Sequence, residues 1–108
     1  MGALITIDYD SQVVSTEQAE LLTINIRSVI ADVMGEKDVF VYANAKTILA
    51  GSDSIEVFVQ VNQQKITDPA SLLEEIATAL SSWKAQANFE PPINLNVMPV
   101  IWHSKIGI

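Results

Sequence analysis

A chain of 108 residues, 49% hydrophobic and 18% charged, is the size of one soluble domain spanning residues 1–108, with material for a single core. Thirteen acidic against six basic residues give a net charge of −7, which repels a phosphate backbone and argues against a nucleic-acid partner. The absence of cysteine removes disulfide frameworks, thiol nucleophiles and thiolate metal sites together. The longest apolar runs are strand-sized, short of the ~20 residues that span a bilayer, so no membrane partner is expected. The start lacks the basic and apolar regions of a signal peptide, so a cytoplasmic location is the expectation.

The elements form one plan used twice. The first strand, Leu4-Ile5-Thr6-Ile7-Asp8-Tyr9, begins so early that the α-amino group is placed at its tip. Ser15-Thr16-Glu17-Gln18 then has the Ser-x-x-Gln form of a capping box, with an acid in the first turn to suit the helix dipole. Leu22, Ile26, Val29, Ile30 and Val33 recur at helical spacing behind it, and Gly35 closes the helix as a left-handed cap. Val39-Phe40-Val41-Tyr42 is the second strand, and Ala50-Gly51-Ser52-Asp53-Ser54 reads as a reversal into the third.

From Ile55 to Val61 the alternation is regular: Ile55, Val57, Val59 and Val61 point one way, and Glu56, Phe58 and Gln60 the other. The second helix opens with Asp68 as N-cap and Pro69 at its first position, where a missing N–H costs nothing. Its apolar stripe is Leu72, Leu73, Ile76, Ala77, Leu80 and Trp83, and Pro91-Pro92 are expected to stop it before a last strand, Ile93 to Val97. The core is predicted to be built on Leu22, Ile26, Val29, Ile30, Leu73, Ile76, Leu80 and Trp83.

Two β-α-β units in one small sheet predict an α+β domain, a two-layer β-α-β-β-α-β sandwich with two helices on one face of a four-stranded mixed sheet. The other face is then bare, and it carries Phe40, Tyr42 and Phe58 among polar residues. A face of that kind predicts self-association.

The start Met1-Gly2-Ala3-Leu4-Ile5, the helix end Met34-Gly35-Glu36-Lys37, the segment Val39-Phe40-Val41-Tyr42 with Ile48-Leu49-Ala50-Gly51-Ser52, and the tail Trp102-His103-Ser104-Lys105 follow in a familiar order and spacing. In these the chain resembles the tautomerase superfamily, the group of macrophage migration inhibitory factor and 5-carboxymethyl-2-hydroxymuconate isomerase, over essentially its whole length. That resemblance implies a homotrimer with the sheets inside and the helices outside. It also implies a pocket between subunits, in which an N-terminal proline, exposed by loss of the initiator Met, moves a proton on a small carbonyl or enol compound.

This sequence has Gly2 where the resemblance calls for that proline. Loss of Met1 would leave a primary amine, whose ordinary pKa of about 7.7–8.0 makes a minority free base at neutral pH. The resemblance matches Lys37 to a pocket lysine at an offset of about one residue, so Gly2 and Lys37 are the candidate catalytic residues. The one arginine, Arg27, falls within the first helix, and Asp10-Ser11-Gln12 stand where an arginine after the first strand would be expected.

Tyr9, Tyr42, Trp102 and His103 complete the candidate substrate-binding set: the tyrosines as donors to a developing oxyanion, the last two as contributions of the tail. A single histidine without cysteine gives no metal site, and no phosphate loop, nucleophile elbow or calcium loop appears, so no cofactor is called for. The expected function is that of a tautomerase-like isomerase with degraded or absent proton-transfer activity. Against it stand a non-catalytic oligomeric binding or structural module and a ferredoxin-like dimer with the same order of elements.

Overall fold

The computed structural model describes residues 2–47 and 53–108. Along the chain run β1 (Ala3–Asp10), α1 (Thr16–Met34), β2 (Val39–Lys46), β3 (Ile55–Asn62), a 3-10 turn (Gln63–Lys65), α2 (Pro69–Ala87) and β4 (Ile93–Val100). The expected α+β order is the observed one. The whole Ile48 to Ser52 segment, and with it most of the expected reversal, lies outside the described residues.

Local chemistry sets the helix ends. Ser15 accepts from the Gln18 amide while the Gln18 side chain accepts from the Ser15 amide, so the box is reciprocal. Gly35 ends α1 in the left-handed region at φ 65°. Asp68 caps α2 by accepting from the amides of Ala70 and Ser71, with Pro69 at the first turn. The stop of α2 differs from expectation. It falls at Asn88, left-handed at φ 51°, and Pro91-Pro92 come only afterwards. Asparagine tolerates that conformation better than other side chains with a Cβ, so it ends the helix first.

The sheet order is β2-β1-β3-β4, with β1 parallel to β2, β1 antiparallel to β3 and β3 parallel to β4. The two strands of each β-α-β unit are therefore direct neighbours. That separates the fold from the ferredoxin-like alternative, whose β-α-β units are split by an intervening strand.

Period-2 alternation divides the sheet. Ala3, Ile5, Ile7 and Tyr9 of β1, Val39 of β2, and Ile55, Val57, Val59 and Val61 of β3 are buried with Leu22, Ile26, Ile30, Leu72, Ile76 and Leu80 of the helices. The α2 stripe is phased slightly away from the expected one. Leu72 joins the core and Leu73 is half-buried, because Leu72, Ile76 and Leu80 follow one another at a spacing of four while Leu73 turns off that line. Val29 and Trp83 are partly buried against the core, and the Trp83 ring stacks at a tilt on Phe89 with centroids 5.2 Å apart.

The opposite face is uncovered. One row across it runs Tyr42, Thr6, Phe58, Asn96 and the next Phe40, Leu4, Gln60, Met98. Towards the far end the face becomes polar and bonds to itself. Asn44 donates to Asp8 at 3.1 Å, Lys46 pairs with Asp8 at 3.1 Å, and Asn94 donates to Glu56 at 2.6 Å. Among the described residues no helix is long and apolar enough to cross a membrane.

Candidate functional site

The antiparallel register brings the start of β1 and the end of β3 together, since Ala3 pairs with Val61. The start of β2 and the end of β4 lie at the same end of the sheet, because Ala3 pairs with Val39 and Val61 with Pro99. Gly2 is buried there and donates its backbone N–H to the Asp38 carbonyl at 2.8 Å. A Cβ built on Gly2 would lie 2.9 Å from the Glu36 Cγ and 3.0 Å from its Cδ. Those distances are shorter than packed atoms sustain, so the Glu36 side chain fills the space beside Gly2 that a larger residue would need.

Glu36 is itself held. Its Oε1 accepts from the Lys65 ammonium at 3.0 Å, and its side chain keeps only 27% of its accessible surface. The 3-10 turn after β3 is what delivers Lys65 to this place. Asn62 caps the turn by accepting from the Gln64 amide, and the chain then bends back towards the end of α1. Around the pair lies a cleft of about 320 Å³. Val33, Met34, Ile66 and Leu72 give it apolar walls, while Glu36, Lys65, Asp68, Ser71 and Glu75 give it polar ones.

The Ser71 hydroxyl and the amides of Ser71 and Ala70 hold the Asp68 carboxyl below its ordinary pKa, so it remains an anion and a cap. Combinations of three or more possible metal ligands do not occur among the described residues.

The candidates named from sequence separate into groups. Gly2 and Lys37 lie at this end; Lys37 is exposed just before β2 and borders a second cleft with Arg27, Asp32, Gly35 and Glu36. Arg27 donates through Nε to the Val39 carbonyl at 3.0 Å, which ties α1 to the first residue of β2. Tyr9 lies seven residues along β1 from Gly2, roughly 23 Å at strand rise, and is buried on the helix side, where it borders a third cleft with Ala19, Glu20, Thr23 and Ile24. Tyr42 stands on the bare face at 60% exposure. The structure thus does not bring either tyrosine to Gly2 within one chain.

Trp102 and His103 leave β4 at the Gly2 end but two strands across, about 10 Å at ordinary strand spacing. Trp102 donates through Nε1 to Ser104 at 2.9 Å, and His103 is exposed. The sequence reading missed Glu36 as a site residue and Lys65 altogether. Lys65 follows β3 at the end that an antiparallel β1–β3 pairing must return to the start of β1, and that pairing was the available signal.

Solved structures share this architecture. FG41 malonate semialdehyde decarboxylase inhibited by 3-bromopropiolate aligns with a TM-score of 0.68 at 17% identity, over 97% of this chain and 89% of its own. Macrophage migration inhibitory factor of Toxoplasma gondii aligns with a TM-score of 0.57 at 20% identity, over 97% of this chain and 96% of its own. A 5-carboxymethyl-2-hydroxymuconate delta-isomerase aligns with a TM-score of 0.56 at 13% identity, over 98% of this chain and 89% of its own. No family and no curated protein matches the chain by sequence. The chain has the fold of the tautomerase superfamily, as its resemblance implied.

Proposed function

We propose that this is a tautomerase-like protein, weakly active at best, that moves a proton on a small carbonyl or enol compound at the Gly2 end of the sheet. In this reading Met1 is removed, the freed amine of Gly2 is the proton-transfer group, and a cation beside it receives the substrate's acidic group. The observation that carries the reading is the placement of Gly2: buried at the tip of β1, against the Glu36–Lys65 pair and the cleft around it. Lys65 supports the cation role by its position, and Lys37 remains a second candidate from the neighbouring cleft.

Self-association belongs to the same reading. The aromatic half of the bare face, Phe40, Tyr42 and Phe58, lies towards the Gly2 end, whereas the polar half is satisfied by its own hydrogen bonds. A homotrimer formed through that face is proposed. The same face favours the second reading, a non-catalytic oligomeric module, because it needs no chemistry at Gly2.

One experiment separates the readings. The purified protein is characterised by the mass of its N-terminus and by its native mass, and then assayed for enolisation of phenylpyruvate. Met1 removed, a trimer and a rate above background support the enzyme. A trimer with no rate in the Met1-free form supports the module.

A further inference from the structure

The Glu36 side chain packs against Gly2, its Cγ 2.9 Å and its carboxyl carbon 3.0 Å from where a Cβ would stand, and this bears on which group takes the proton. The Gly2 nitrogen is meanwhile engaged at the strand tip, donating to the Asp38 carbonyl at 2.8 Å. The Glu36 carboxylate has oxygen lone pairs to spare after its one ion pair with Lys65. Glu36 meets the further requirements by position: it borders the cleft, retains 27% exposure, and is fixed by Lys65 at 3.0 Å.

Resting on the site and reaction proposed above, but not on its proton-transfer group, we infer that Glu36, rather than the amine of Gly2, is the catalytic base, with Lys65 receiving the substrate's acidic group as already proposed. The substrate's carboxylate is received by Lys65, whose ammonium has three N–H donors and spends one on Glu36. The α-carbon is thereby presented to the Glu36 carboxylate. The C–H bond breaks and its proton forms an O–H bond on Glu36, while the electron pair moves into the new C=C bond and the carbonyl electrons move onto oxygen as an enolate. Glu36 then returns the proton to the enolate oxygen, giving the enol and restoring the carboxylate. No oxidant, reductant or metal is consumed. The mechanism does not depend on a proline, which fits a chain whose Glu36 side chain fills the space beside Gly2.

The test measures exchange of the α-hydrogens of phenylpyruvate into deuterated water by proton NMR, together with steady-state enolisation. Wild type, Glu36→Gln and Lys65→Met are compared, each confirmed as folded by circular dichroism and with its N-terminus determined by mass. Glu36→Gln preserves shape and removes the base, so kcat is expected to fall roughly 10²–10⁴-fold. Lys65→Met is expected to raise KM about tenfold or more while kcat stays within a few-fold.

Wild-type activity retained in Glu36→Gln overturns the assignment of Glu36 and leaves the amine of Gly2 as the base. Loss of kcat in Lys65→Met equal to that in Glu36→Gln overturns it as well, because Glu36 would then act only by placing Lys65. Exchange at background in the wild type overturns this inference together with the reading it rests on.

Discussion

The Glu36 side chain occupies the volume next to the Gly2 Cα, with its Cγ 2.9 Å and its Cδ 3.0 Å from where a Cβ would stand. The atoms in the way belong to the inner part of that side chain, and its carboxylate is tied to Lys65 at 3.0 Å, so it cannot swing aside without breaking the pair. Proline at position 2 also brings a Cβ to this point. Gly2→Pro alone is therefore expected to lower Tm, and Gly2→Pro with Glu36→Ala to recover much of the loss. In the double variant the ring-held secondary amine would have both room and orientation, and enolisation of phenylpyruvate is expected to rise above that of Glu36→Ala alone. Melting curves and the assay, run on Met1-free protein, check both parts. Equal Tm for the single and double variants would show that Glu36 is not the obstacle.

The phase of α2 gives the next expectation. Leu80 is 4% exposed between α2 and the sheet, whereas Leu73 is half-buried off the Leu72, Ile76, Leu80 line. Leu80→Ala should cost about 2–5 kcal/mol, the range for a buried leucine that leaves a cavity. Leu73→Ala should cost clearly less. Urea unfolding of the two variants settles the order, and a reversal would place Leu73 in the core.

Legibility followed the physics of each feature. Period-2 alternation in Ile55 to Val61 and the caps at Ser15, Gly35 and Asp68 are local signals, and the structure repeats them residue by residue. Asn88 escaped because its left-handed conformation is optional for asparagine, and a downstream Pro-Pro pair is the louder signal. The site was less legible because its key contact is not local. Glu36 and Lys65 are 29 residues apart, and only the β1–β3 pairing explains why they meet. Tyr9 and Tyr42 were placed correctly on strands, but their separation across the two faces follows from register, which single-strand patterns do not define.

Acid should loosen α2 first at its start. The Asp68 carboxylate accepts from Ser71 Oγ at 2.9 Å and from the Ala70 amide at 3.0 Å, and these bonds depress its pKa in the folded state. A depressed acid stabilises the fold at pH above its unfolded value of about 3.9, and that contribution fades as pH falls through the lower folded value. Asp68→Ala is expected to lower Tm at pH 7 and to bring the variant and wild type together near pH 2. Thermal melts at both values check this. A Tm difference unchanged between them would remove the carboxylate's charge from the explanation, leaving the shape of the cap.

Assembly through the bare face makes the last expectation. Phe40 and Tyr42 are 46% and 60% exposed on β2, beside Phe58 and Leu4, and side chains of this size are usually covered when they gather on a sheet face. If a trimer buries them, sedimentation equilibrium at micromolar concentration should give three times the chain's 11.8 kDa. A charge on the edge strand β2, within the aromatic half of the face, would then have to be desolvated three times, once per copy, so Tyr42→Glu is expected to shift the protein to monomer. The helices lie on the other side of the sheet, and the variant's far-ultraviolet circular dichroism should be unchanged. A control at the self-satisfied polar end, Asn44→Ala, should leave the native mass as it was. A monomeric wild type would remove the trimer, and a trimeric Tyr42→Glu would move the interface to another surface, with the exposed tail residues Ile101, Ile106 and Ile108 the next to be tested.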